Sequence, residues 1–222
     1  MIKYLFGFLL FVFFSAPLTA QNLEYRNVIS GGLGFSLVGA SIDVFDGNDI
    51  GEFDFEIENF VDISGAFTGR STPALQVNYD YGIAKWFSIG GGISFQQLEL
   101  NIRDLTYTDN ELGAIERIAS LNMETSRINI TARVLFHYAN NDKLDLYSGF
   151  RLGVTNWLTT ANASDAAFEA DLENDIPFFG VVPTGQLIPF AMRIYFNENL
   201  GVNFETGIGA PHFLAIGVNY RL

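Results

Sequence analysis

The feature that most restricts this chain is a two-residue alternation of apolar and polar side chains that returns eight times. Ile128, Ile130, Ala132, Val134, Phe136 and Tyr138 alternate with Arg127, Asn129, Thr131, Arg133, Leu135 and His137. Ile188, Phe190, Met192, Ile194 and Phe196 alternate with Leu187, Pro189, Ala191, Arg193 and Tyr195. Leu214, Ile216, Val218, Tyr220 and Leu222 alternate with Phe213, Ala215, Gly217, Asn219 and Arg221. Further runs lie near 27–40, 73–84, 87–101, 144–157 and 200–209. A period of two is that of a β-strand with one apolar face. The expected fold is therefore all-β, an eight-stranded antiparallel up-and-down barrel. Strands of about ten to fifteen residues suffice to cross a bilayer at a tilt, which takes about 9–11. Within these runs, Pro189 weakens the start of its strand. Gln96 and Gln97 break the phase after Phe95, which predicts a bulge or a strand end there.

The connections alternate in length. Short ones fall at Ala84–Trp86, Ala139–Lys143 and Asn197–Asn199, long ones at Ser41–Thr72, Arg103–Glu124 and Leu158–Thr184, with a tight one at Ala210–Pro211. Bacterial outer-membrane barrels have short periplasmic turns and longer external loops. Placing both termini in the periplasm sends all three long connections outside the cell. Short surface helices are expected in Asn110–Asn122 and Ser164–Asn174, the second capped by Ser164.

Alternation does not say which face meets solvent, because a soluble barrel of the lipocalin kind shows the same period. Two observations decide. The polar face is rich in small residues suited to a filled lumen, among them Gly32, Gly34, Gly90, Gly92, Gly149, Gly153, Gly201 and Gly207. Bulky rings collect at the short-turn ends: Tyr81, Trp86, Phe87, Phe136, Tyr138, Phe196 and Tyr220, as in an interfacial aromatic girdle. Inverting the phase would instead set Asp80, Arg127, Arg133, Arg151, Arg193, Glu205 and Arg221 against lipid. At about 2–4 kcal/mol for a midplane arginine, that costs on the order of ten kcal/mol.

The first twenty residues fit export. Lys3 precedes an apolar run from Tyr4 to Phe14, broken by Ser15, Ala16 and Pro17, with Ala20 at a cleavage point. That run is shorter than the roughly 20 apolar residues of a membrane-spanning helix. Residues 1–20 are thus expected to be a signal peptide and 21–222 the barrel domain. With no cysteine, neither a disulfide scaffold nor a lipidated N-terminus is available.

Charge is sorted as sharply as hydropathy. The three long connections hold eighteen acidic residues against Arg70, Arg103 and Arg117, a surplus that exceeds the chain's net charge of −13 and leaves the rest of the chain slightly basic. Asp43, Asp46, Asp49, Glu52, Asp54 and Glu56 open the first of them. Their spacing does not match an EF-hand, so a solvated acidic face is expected, free to bridge lipopolysaccharide through divalent cations. No metal site and no cofactor are expected. Basic patches and phosphate-cradling glycine loops are absent, so nucleic acid is not expected as a partner.

Within the lumen, Asp80, Arg133, Arg151, Arg193 and Glu205 point inward on neighbouring strands, either as a salt-bridged plug or as the constriction of a narrow pore. Catalysis by a Ser–His–acid set needs a histidine. His137 sits at the periplasmic end, the wrong side for lipopolysaccharide. His212 is read as an external rim residue, with Leu214 where a lipid A deacylase has its serine.

At the C-terminus, Gly217-Val218-Asn219-Tyr220-Arg221-Leu222 resembles the signal that outer-membrane assembly machinery reads, with Gly217, Tyr220 and Leu222 at its marked positions and leucine in place of the usual phenylalanine. The stretch RIYFNENLGVNFETGIG resembles the closing strands of small barrels common in Bacteroidota. In general plan the chain is similar to OmpA/OmpX-type eight-stranded barrels. The resemblance implies location in the cell outer membrane, with contact to its lipids, to lipopolysaccharide and, during insertion, to the barrel-assembly machinery. The expected role is non-enzymatic, structural or surface-interacting through acidic external loops. The alternatives are a narrow channel for small or apolar solutes and a lipid A-modifying enzyme.

Overall fold

The computed structural model describes residues 27–44, 66–109, 115–164 and 180–222. The expected signal peptide and most of the first and third acidic connections lie outside the described residues. The strands are β1 (Val28–Phe35), β2 (Ala66–Ser71), β3 (Ala74–Ala84), β4 (Phe87–Asp109), β5 (Ile115–Asn140), β6 (Leu144–Ala163), β7 (Val181–Tyr195), β8 (Leu200–Thr206), β9 (Ile208–Gly209) and β10 (Leu214–Arg221). A helix, α1 (Leu37–Val44), follows β1. β2 and β3 are two lengths of one stave, parted at Thr72–Pro73, and β8 and β9 are likewise parted at Gly207. Ten segments therefore make eight staves. β1 pairs with both β10 and β3, and β3 with β4, so the sheet closes on itself with every pairing antiparallel.

The wall is apolar outside and polar inside. Leu75, Val77, Ile93, Ile130, Leu152, Leu187, Val202, Ile216 and Val218 are exposed, whereas Asp80, Arg127, Arg133, Arg151, Arg193, Glu205 and Arg221 are buried. That inversion of the soluble pattern is the signature of a barrel whose outer solvent is lipid. Tyr81, Trp86, Phe136, Tyr138, Phe196 and Tyr220 stand exposed around the short-turn end, and Phe87 packs between Trp86 and Phe136 at 5.3 and 5.6 Å. Two of the short turns use the same device. Asn141 Oδ1 accepts from the amides of Lys143 and Leu144, and Asn197 Oδ1 from those of Asn199 and Leu200. An asparagine side chain thereby replaces the backbone acceptor that a tight reversal lacks.

Four expectations are corrected. The first strand stops at Phe35 and not near 40, because Ser36 caps α1. Its Oγ accepts the Gly39 amide at 2.9 Å and donates to Gln96 Oε1 at 2.9 Å. Second, Gln96 and Gln97 neither bulge nor end β4. The register with β5 is unbroken from Phe87↔Phe136 to Ile102↔Leu121, with Gln96 buried and Gln97 exposed in phase. Third, Arg103–Glu124 is not a long loop, nor is Ile115–Asn122 helical. β4 and β5 run on to Asp109 and from Ile115, pairing across as far as Asp109↔Ile115. Fourth, Pro189 does not weaken a strand start but sits inside β7 at a bulge. Tyr147 pairs with Ala191 and Gly149 with Ile188, which sets Pro189 and Phe190 against Ser148 alone, one residue in excess. Lacking an N–H, proline suits a bulge, where the ladder is already interrupted. The bulge reverses the phase, so Leu187 faces out and Ile188 faces in, against Leu135, Tyr147 and Ala191.

β4 and β5 far exceed the length needed to cross a bilayer. Outward residues turn polar at Gln97, Glu99 and Asn101 on β4 and at Ser126, Glu124 and Asn122 on β5, which marks the edge of the apolar belt. Beyond it β2 flanks β4 and the end of β6 flanks β5, forming a four-stranded sheet. Asn122 Nδ2 donates to Asn101 Oδ1 at 2.5 Å across that sheet.

Inward glycines set how closely the staves pack against the lumen. A β-carbon on Gly153 would overlap the backbone carbonyl of Ile130, which no rotamer change relieves. Gly153→Ala is expected to destabilise the barrel by about 1–3 kcal/mol. Outward Gly91, whose β-carbon would meet only the Thr131 carbonyl at 3.5 Å, should accept alanine. Urea midpoints of the two refolded variants compare them directly.

Candidate functional site

The lumen is the place where this sequence concentrates chemistry. Asp80 on β3, Arg133 on β5, Arg151 on β6, Arg193 on β7 and Glu205 on β8 all project into it and are joined in one network. Arg133 Nη2 donates to Glu205 Oε2 at 2.9 Å, and its Nε lies 3.1 Å from Asp80 Oδ1. Arg151 Nη2 donates to Glu205 Oε1 and Arg193 Nη2 to Asp80 Oδ2. Buried to within 2% of complete exclusion from solvent, these groups must be neutralised where they stand, because an unpaired charge there would face neither water nor counterion.

Phase analysis singled out three guanidinium groups and two carboxylates. The third carboxylate is Asp145 on β6, whose Oδ2 accepts from Arg193 Nη1 at 3.1 Å. Asp145 shares the inward phase of Arg151, six residues on, and that shared parity was the available signal. Tyr147 also joins, its hydroxyl donating to Glu205 Oε2 at 3.3 Å and its ring lying 4.5 Å beneath the Arg193 guanidinium. Arg127 and Arg221 are satisfied differently. Arg127 Nη2 donates to the Pro211 carbonyl at 2.6 Å beside the Trp157 ring, and Arg221 stacks on Tyr195 at 3.5 Å.

His212 is not a rim residue. It is wholly buried, with Nε2 3.3 Å from Glu205 Oε1 and 3.4 Å from Arg151 Nη1. The reason is the path of 210–213, which turns into the mouth after Gly209, whose φ of 108° excludes most L side chains. The Phe213 amide bonds to the Phe35 carbonyl at 2.8 Å, and Gln186 Nε2 donates to the His212 carbonyl. Gly34 and Gly207 leave the room, since β-carbons there would press on His212.

At the short-turn end, three adjacent staves bring a second set together. Ser88 Oγ lies 2.8 Å from His137 Nε2, and His137 Nδ1 lies 2.6 Å from Asp145 Oδ1. Ser88 is opposite Leu135 and His137 opposite Tyr147, so each partner is the diagonal inward neighbour of the next. The sequence shows of His137 only its place at the periplasmic end; the serine and the acid lie 49 and 8 residues away, and only the register unites them. Among the described residues no cluster of histidine and carboxylate side chains is arranged to hold a metal ion. Gly217, Tyr220 and Leu222 lie on or just after β10, with Tyr220 and Leu222 exposed outward.

A closed eight-stranded antiparallel wall, apolar outside and charged within, defines an integral outer-membrane β-barrel. No protein-family model and no curated protein matches the chain. Among solved structures it is similar to Ail, the attachment invasion locus protein of Yersinia pestis. In complex with the heparin analogue sucrose octasulfate, Ail aligns with a TM-score of 0.40 at 9% identity, over 90% of this chain and 98% of that one. A second crystal structure of Ail gives a TM-score of 0.38 at 10% identity over the same shares. Likeness this distant transfers neither ligand nor role.

Proposed function

We propose that this outer-membrane barrel has a structural and surface-facing role, anchoring an external sheet and acidic loops on a wall whose lumen is plugged. The observation that carries this reading is the filled interior. Asp80, Asp145 and Glu205 balance Arg133, Arg151 and Arg193 across the barrel, while the inturned 210–213 segment with buried His212 enters from the other end and Ser36, at the start of α1, bonds buried Gln96. Eight staves leave room for side chains and little else, and here the side chains bond one another. The general plan is that of OmpA/OmpX-type barrels. The loops, acidic by sequence, would meet cations and lipopolysaccharide at the cell surface, and Gly217, Tyr220 and Leu222 would guide assembly.

Planar bilayers holding the refolded protein are expected to stay at baseline conductance under applied voltage. Steady single-channel steps that vanish when the protein is omitted would replace this reading with that of a narrow pore. Protease added to intact cells should cut within the long connections and leave the barrel fragment whole.

A further inference from the structure

Ser88, His137 and Asp145 stand in the order and at the spacing of a nucleophile, its base and the acid that orients the base. We propose that they form an acyl-transfer site, specific for short-chain esters, at the short-turn mouth of the barrel. The proposal goes beyond the surface role and does not depend on it.

Protonation follows from the partners. Asp145 offers only acceptors, so His137 carries its proton on Nδ1, and Nε2 is left to accept the hydroxyl proton of Ser88. Asp145 is itself fixed by Arg193 through its other oxygen, and the His137 ring is braced by Tyr147 at 5.5 Å. A hydroxyl held only for packing needs one partner. This one meets a base whose tautomer and tilt are both set.

Beside these side chains lies a cavity of about 20 Å³, lined by Ser88, His137, Asp145, Arg193, Tyr195 and Arg221 among others. Such a space admits about one water or a group of similar size. It has room for a methyl-sized end of an acyl group and none for a fatty chain. Arg193, held by Asp80 and Asp145, and Arg221, stacked on Tyr195, line the same cavity.

The reaction balances with water alone. Ser88 Oγ bonds to the acyl carbon as its proton passes to His137 Nε2. The tetrahedral oxyanion collapses, and the ester C–O bond breaks as the alcohol leaves with that proton. Water then attacks the acyl-serine, giving its own proton to Nε2. The acid departs as the proton returns to Ser88 Oγ. Ser88 and His137 are the catalytic residues, and Asp145 is a positioning residue.

The test uses the full mature barrel refolded in detergent, with folding verified by heat-modifiable gel migration. Given p-nitrophenyl acetate, the protein should release nitrophenolate, and the peptide containing Ser88 should gain one acetyl group. Ser88→Ala and His137→Ala should each lower kcat by about 10²–10⁴-fold. Asp145→Asn should lower kcat comparably with KM unchanged, a split that loss of packing alone would not give. Ser94→Ala, a buried serine bonded to Asn129, should leave the rate as it was, and p-nitrophenyl palmitate should not be hydrolysed. If Ser88 in the folded wild-type barrel stays unacetylated, or the rate is indifferent to Ser88→Ala, the assignment is overturned. Because acetylation is read on the wild-type protein, a variant that does not fold cannot obscure the answer.

Discussion

Replacing Glu205 with alanine is expected to destabilise the folded barrel by about 3–5 kcal/mol, among the largest effects open to a single substitution here. Glu205 is the shared acceptor of Arg133, Arg151 and Tyr147 and lies against His212. Removing it leaves buried Arg151 without a carboxylate and Arg133 with only Asp80, which it must share with Arg193. Glu205→Gln keeps the size and one acceptor but not the charge, so it should fall between alanine and wild type. Glu99→Ala, on the external sheet, should change stability by less than about 0.5 kcal/mol. Urea titration of the protein in detergent, read by heat-modifiable migration, gives all four values. Equal midpoints for Glu205→Ala and Glu99→Ala would mean that the lumen is wet enough to solvate unpaired arginines, and the plugged-barrel reading would fall with them.

The same network explains how far the sequence could be read. Parity reports a face wherever one side of a strand meets lipid and the other the lumen, and so the inward phase of Asp80, Arg133, Arg151, Arg193 and Glu205 is legible in the sequence. Parity misleads where the outer face meets water instead of lipid. From Gln97 outward on β4, and before Ser126 on β5, the alternation persists with its phase inverted, Leu98 and Leu121 facing in and Gln97 and Glu124 facing out. Backbone pairing nevertheless continues to Asp109↔Ile115, because a ladder needs no hydrophobic side. A long loop was the natural reading of what is a protruding hairpin.

Parity also fails at a bulge. One residue inserted at Pro189 exchanged the faces of Leu187 and Ile188 while leaving Arg193 correctly inside. His212 and the Ser88–His137–Asp145 set were missed for another reason. Each depends on register between staves, or on a segment folding inward, and a single sequence carries pairing only through its turns. The glycines facing His212 were a trace of that fold, legible only once the partner was known.

What solvates the outer wall is tested by a single arginine placed at different heights. Leu152 on β6 is 61% exposed in the middle of the apolar belt, flanked along the outer face by Phe150 and Val154. In hydrocarbon, Leu152→Arg should cost about 2–4 kcal/mol, a shift visible as a lower urea midpoint or a failure to insert into phosphatidylcholine vesicles. In water the same substitution on an exposed strand would change stability by less than about 0.5 kcal/mol. Thr160→Arg lies further along the same strand and points the same way, beyond the height at which Gln97 and Ser126 turn the outer face polar. It should be tolerated in vesicles. The contrast between the two sites separates depth from mere exposure, since both side chains are open to whatever surrounds the barrel. If Leu152→Arg and Thr160→Arg were equally harmless, the greasy exterior would have to be covered by protein instead of lipid.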